Sequence, residues 1–270
     1  MDDTEINKKL ELLFAESDFS PKTYVDVMGE KIDVPVKYSD ANAFMVFVPI
    51  SYEAAKAHIN NERLKPVSIF KKRALLGVTI FNYTDCQVGP YRELALSIPV
   101  LLDTSFPLPV LPLLFDSLYS GYGFYTISLA MNTKIARVHS EKIFGYPTYT
   151  ENINIEIKNE NDLVSIFVSE AQQQILSFSM SVPKSYRFTK KKYKTFFFTN
   201  NDLLKVTLNA SAYEAGLGAG KLSLLKLGDH PLSKLITSLA PANKPLQGIY
   251  YKKAFEILEK PEKIGQAKGC

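Results

Sequence analysis

Cysteine is nearly absent from this chain, with Cys86 and Cys270 the only two. They give neither a disulfide framework nor a zinc spacing, and so low a thiol content suits a reducing compartment. Histidine is also scarce. His58, His139 and His230 lie far apart, and no second histidine or carboxylate stands at metal spacing beside His58. Neither a metal nor a cofactor is expected. No one sign of charge dominates: 32 Lys and Arg stand against 28 Asp and Glu, a net +4. The lysines are dispersed apart from Lys190-Lys191-Lys192 with Lys194, which read as a solvated turn between strands. A nucleic-acid site would need more arginine and a wider basic face, so no nucleic-acid partner is expected. Long hydrophobic runs are missing as well. The longest apolar stretch, Leu94 to Phe115, is broken by Asp103, Thr104, Ser105 and four prolines, so it cannot cross a bilayer as one helix and no membrane partner is expected. The opening MDDTEINKKLELLFAESDF is acidic and amphipathic rather than a secretory signal, and Cys270 lacks a prenylation context. A cytoplasmic protein is expected.

What is present is an ordinary globular composition, 46% hydrophobic and 22% charged over 270 residues. That length can bury a substantial core, as one large β-rich domain or two small ones. Thr4 to Ala15 reads as a helix with Ile6, Leu10, Leu13 and Phe14 on one face, an outer arm or a contact with a second subunit. Ile32, Val34 and Val36 alternate with polar or proline positions, and Phe44 to Pro49 is a short apolar run. Ser51 precedes good helix formers and predicts a capped helix to Ile59. Val67–Phe70, Leu75–Tyr83 and Arg92–Leu102 read as strands, the middle one buried on both faces. In the third, alternation sends Glu93, Ala95 and Ser97 to one face, either a lumen or a wet outer surface. Pro107, Pro109 and Pro112 predict an extended loop that covers a pocket mouth or joins subunits.

Five further short strands follow, over Asn152–Lys158, Leu163–Glu170, Gln174–Val182, Lys194–Thr199 and Lys205–Asn209. Turn residues separate them, as an antiparallel meander requires. Gly216 to Lys221 lacks the spacing and the following helix of a phosphate loop, and reads as a connection. His230 reads as structural, opening a helix over Leu232–Leu239. Leu246–Leu258 is a closing strand, and the chain from Glu259 reads as a frayed polar tail. The expected class is mainly β with flanking helices (α+β), without internal repeats.

One stretch carries most of the chemistry. In NTKIARVHSEKIFGYPTYT, Asn132 to Thr150, a helix closes on Gly145-Tyr146-Pro147, since Pro147 cannot extend it and Gly145 permits a sharp turn. At 100° per residue Ile135, Ala136, Val138, His139, Lys142 and Ile143 share an apolar arc, while Lys134, Arg137, Ser140 and Glu141 face the other way. A lysine held on an apolar face has its pKa lowered and becomes a nucleophile. The alternative is that Lys142, near the helix end, reaches solvent along its stem and complements the helix dipole.

Together with GPYREL at Gly89–Leu94, LGDHPLSKL and PLQGIYYKKAFEILEKP, this stretch resembles acetoacetate decarboxylase and its relatives, in the family's order from about Val25 to Pro261. The resemblance implies a curled antiparallel sheet closing into a β-barrel with an internal pocket. It implies a helical arm over 1–24, the family domain over 25–261 and a polar tail over 262–270. It also implies a homo-oligomer. In the family adjacent lysines follow Y-P, the first forming a Schiff base with a keto acid. Thr148 and Tyr149 occupy those places here, and threonine cannot form an imine. A second pocket carboxylate of the family falls on Val78, and a family arginine has no counterpart near Glu30.

The resemblance therefore implies a protein that binds a small keto acid or related carboxylic acid, as a possible lyase with altered chemistry. Glu93 would be its proton shuttle. Lys142 would be a displaced imine former or a counter-ion, and Tyr91, Tyr146, Thr148 and Tyr149 would contact substrate. The alternative is a non-catalytic barrel that binds a hydrophobic small molecule. The two differ in whether Lys142 points into the pocket.

Overall fold

Alternating apolar and polar side chains give a strand two unlike faces, and here ten strands join in one sheet that closes on itself. The computed structural model describes residues 2–15, 23–104, 109–114 and 118–266; Pro107 and Cys270 lie outside the described residues. Helix α1 (Asp3–Ala15) leads to strands β1 (Thr23–Val27), β2 (Glu30–Val34) and β3 (Val36–Ser51), then helix α2 (Tyr52–Ile59). Strands β4 (Leu64–Pro66), β5 (Arg73–Cys86) and β6 (Tyr91–Leu102) precede the short helix α3 (Leu111–Leu114) and β7 (Tyr122–Met131). Helix α4 (Lys134–His139) is followed by β8 (Thr148–Thr150), β9 (Ile153–Glu160), β10 (Leu163–Glu170) and β11 (Gln173–Ser181). The chain ends with β12 (Arg187–Thr199), β13 (Asp202–Gly218), β14 (Lys226–Leu227), helix α5 (Pro231–Ser238), β15 (Gln247–Leu258) and β16 (Glu262–Gln266).

Strands β6, β5, β3, β15, β13, β12 and β7 follow one another in the sheet, and β7 pairs back onto β6. Seven is odd, so strand direction cannot alternate all the way round and one neighbouring pair must be parallel. That pair is β7 with β12, joined at Thr195 opposite Phe124 and Phe196 opposite Tyr125. The barrel is therefore antiparallel with one parallel seam. Gly123 lies at the seam because an added Cβ would stand 2.5 Å from the Lys194 carbonyl oxygen.

The main core lies outside the barrel. Strand β5 sends Leu76, Val78 and Ile80 outward, where they join Ile155, Ile166 and Met180 of a four-stranded sheet ordered β14-β11-β10-β9, with Leu232 and Ile236 of α5. Gly77, Thr79 and Phe81 alternate inward. Burial of both faces explains why β5 reads as nearly continuous apolar sequence. A second cluster around Val27, Ile32, Phe144 and Phe197 closes one end with the β1–β2 hairpin and α4. Ile6 and Leu10 of α1 are buried against Phe255. Ser51 caps α2, its Oγ accepting the Ala54 N–H at 3.3 Å.

Several expectations are corrected. Lys190 to Lys192 lie inside β12 rather than in a turn, and alternation turns Lys191 inward to Glu214. The polar sequence misleads there because a buried carboxylate supplies the partner. Gly216 and Gly218 belong to β13. Val67 to Phe70 is not a strand; β4 ends at Pro66 and a single 3₁₀ turn spans Phe70–Lys72. Residues 262–266 pair with β13 instead of fraying, with Lys205–Glu262 at 2.6 Å and Lys263–Asp202 at 2.7 Å. Leu111–Leu114 forms a helical turn rather than an extended loop, with Pro112 in its first turn where no amide donor is needed. Leu113 packs on Phe47, Leu75 and Phe124.

Candidate functional site

The barrel encloses a cavity of about 120 Å³. A single water needs roughly 10–15 Å³ of such space, so a small organic molecule fits. Alternation along β6 brings Tyr91, Glu93, Ala95 and Ser97 to its wall, and β5 adds Thr79, Phe81 and Tyr83. Strand β15 contributes Tyr251, Ala254, Glu256 and Leu258, and Tyr146 enters from the G-Y-P turn. No lysine, arginine or histidine is among the described residues that line it.

Two carboxyls therefore share one largely apolar chamber. Glu93 is 7% exposed and Glu256 4%. Burial, reinforced by the charge of Glu256, pushes the Glu93 carboxyl up to about 8. Burial pushes Glu256 up to about 7, opposed by a hydrogen bond that the Tyr83 hydroxyl donates to its Oε2 at 3.4 Å. The Tyr83 ring packs, tilted, 4.6 Å from that of Tyr38 and 4.7 Å from that of Tyr91, and all three phenols are held well above their usual range by burial. They stay protonated and can donate.

These raised carboxyls fix a stability dependence. The folded state binds their protons more tightly than the unfolded chain, so their contribution is fully present below about pH 4.5 and is lost as pH rises through 7 to 8. Melting temperature should fall across that window, and the fall should be shallower in a Glu93→Gln/Glu256→Gln double variant. Parallel curves for the two proteins between pH 5 and 9 would contradict the burial of an ionisable pair.

The other expected site residues divide sharply. Tyr91 and Tyr146 line the cavity, the Tyr146 hydroxyl 2.7 Å from Thr195 Oγ1. Lys142 does not reach it: its side chain is 52% exposed and its Nζ stands 4.0 Å from Asp26. The cause is local. Helix α4 ends at His139 and Ser140–Phe144 form a π turn, with Gly145 N–H donating to the Ser140 carbonyl at 3.1 Å. The extra residue per turn rotates every later side chain relative to a 100° wheel. His139 is fully buried as the wheel requires, but Ser140 moves into the cavity wall and Lys142 moves out. Gly145, at φ 79°, ends the turn in a left-handed conformation.

Thr148 and Tyr149 also lie away from the cavity. They sit in β8, which pairs in parallel with the end of β7 at Leu129 and Ala130; Thr148 donates to Glu141, and the exposed Tyr149 ring meets His230 edge-on at 5.8 Å. His230 is structural, accepting the Leu232 N–H at 3.1 Å and meeting Glu170 Oε2 at 2.9 Å. In GPYREL, Arg92 points outward and its Nε donates to Asn82 at 2.9 Å.

Glu256 is the residue that sequence reasoning missed. The place matched to a second carboxylate, Val78, faces the outer core, and the second acid comes from the last barrel strand instead. A signal is present in Ala254, Glu256 and Leu258, which alternate onto the lumen. Irregular pairing between Tyr251 and Ala254 breaks the phase, so no single two-residue register spans β15.

Residues 26–260 match the acetoacetate decarboxylase (ADC) family. No curated protein matches the chain. Among solved structures, an acetoacetate decarboxylase is similar at 15% identity and a TM-score of 0.66, over 87% of this chain and 91% of that one. Acetoacetate decarboxylase from Legionella pneumophila is similar at 14% identity and 0.64, over 96% and 97%. The enduracididine biosynthesis enzyme MppR, complexed with pyruvate, is similar at 11% identity and 0.55, over 86% and 91%. At such identities the structures establish the shared fold. With the family match spanning nearly all of the barrel, the chain belongs to the acetoacetate decarboxylase family.

Proposed function

We propose that this protein takes a small carbonyl compound in uncharged form into the barrel and that Glu93 moves a proton on it, without an imine. The observation that carries this reading is the pair of buried carboxyls facing a tyrosine-lined, largely apolar cavity with no cationic side chain among its described lining residues. A keto-acid carboxylate would add a further negative charge to that chamber, with no cation among its described lining residues to neutralise it. A ketone, or a keto acid in its protonated form, meets no such penalty. The site thus favours an apolar neutral ligand over the carboxylate that the family resemblance implies.

The proton steps follow from the residues. Ionised Glu93 removes a proton from the carbon beside the carbonyl. The electron pair moves onto the carbonyl oxygen, where a tyrosine O–H donates to the forming enolate. The protonated carboxyl then returns a proton to carbon or oxygen. Raised carboxyl pKa values place this exchange near neutral pH, where the two groups hold about one proton between them.

Two measurements test the reading. Benzylacetone in D₂O should exchange its α-protons faster with the protein than in buffer, followed by proton NMR. Incubation with acetoacetate or pyruvate and a hydride reductant should leave the intact mass unchanged, because Lys142 lies outside the cavity. A saturating adduct mapped to one lysine would overturn the imine-free chemistry. Absence of exchange by the folded protein would leave a ligand-binding barrel without catalysis, the alternative that the missing amine favours.

A further inference from the structure

The cavity has a second polar pole. Tyr193 of β12 and Tyr251 of β15 both line it, and their hydroxyl oxygens are 2.9 Å apart. On β13, Ala210 lies opposite Glu256, whereas Glu214 lies opposite Tyr251. On the other wall the Tyr193 ring packs 6.1 Å from that of Phe124, which lies opposite Pro99 on β6, whereas Glu93 of the same strand lies opposite Met131. Between them the wall includes Met45, Phe124, Ala212 and Ala254.

Glu214 stands behind the phenols and is only 1% exposed. Its Oε1 receives Lys191 Nζ at 2.9 Å and Arg187 Nη2 at 3.3 Å, while its buried Oε2 has no hydrogen-bond partner among the described residues. Burial, with the charge of Glu214 among the further causes, raises both phenols, so both remain protonated. Two phenols sharing one hydrogen bond use one of their two protons, and the other can donate into the cavity while the oxygen lone pairs accept.

We propose that the Tyr193–Tyr251 pair is a second recognition site, which hydrogen-bonds an oxygen at the far end of the ligand, so that the ligand is an elongated neutral molecule with an oxygen function at each end and an apolar middle. This rests on the reading of the cavity as a site for neutral carbonyl compounds. It assigns the carbonyl to the Glu93 end and a hydroxyl to the phenol end.

Calorimetric titration with benzylacetone and its para-hydroxyphenyl analogue tests it. The analogue should bind the natural protein about tenfold more tightly, the worth of one neutral hydrogen bond. That advantage over benzylacetone should vanish in Tyr193→Phe/Tyr251→Phe, which keeps both rings. Each single variant should lose part of the advantage and serves if the double variant does not fold. Equal binding of the two probes by the natural protein would overturn the second pole alone. So would an advantage that survives in both phenylalanine variants but is lost in Glu93→Gln. Failure of both probes to bind would overturn the reading of the cavity, and the second pole with it.

Discussion

Glu93→Gln should slow α-proton exchange of benzylacetone by about 10²–10⁴-fold, the usual worth of a positioned general base. The amide keeps the size of the side chain, so the ring contacts among Tyr38, Tyr83 and Tyr91 survive and melting temperature should change little at low pH. What disappears is a carboxylate able to accept a proton at this point of the wall. Glu256→Gln should behave differently. The charge of Glu256 helps to raise Glu93, so its removal should move the pH midpoint of exchange downward while the rate at the plateau stays within roughly tenfold. The pair of variants separates the proton carrier from the group that tunes it. An unchanged exchange rate in a folded Glu93→Gln protein would remove Glu93 from the chemistry.

Phe197→Ala should cost about 3–5 kcal/mol of stability, read as a fall in the midpoint of urea unfolding with an unchanged slope. Phe196 and Phe197 are both fully buried although they are neighbours on β12, which alternation allows only if both faces of the strand are covered. Phe196 belongs to the large core between barrel and outer sheet, and Phe197 to the cluster that closes the barrel end. The Phe197 ring lies 4.4 Å from that of Tyr146, so its truncation also leaves a void beneath a cavity-lining phenol. Phe196→Ala should cost a similar amount through a different cluster. A loss below about 1 kcal/mol for either would mean that the corresponding face is not packed as described.

Alternation made much of the barrel legible. Glu93, Ala95 and Ser97 share a face in the sequence and line the cavity in the structure, and the apolar β5 reads as a strand covered on both sides because it is one. The order of GPYREL, the G-Y-P turn and the late helix-strand segment gave the family. Patterns of this kind depend on neighbours two to four residues apart, and such neighbours are set by local backbone geometry.

Other features depended on residues distant in sequence. Lys191 looks solvated until Glu214 is placed beside it, and residues 262–266 look frayed until β13 is placed beside them. Lys142 illustrates the same limit within a helix, since one π turn brings Ser140 to the cavity wall and leaves Lys142 in solvent.

The amino-acid sequence by itself determined the β-rich class, the family and which residues of β6 share a face, because period-two alternation and turn chemistry are local properties of the chain. Only the tertiary structure decided which groups share the lumen. Glu256 joins Glu93, and Lys142, Thr148 and Tyr149 stay outside, because closure of seven strands sets positions through ladder register and bulges that link residues more than a hundred positions apart.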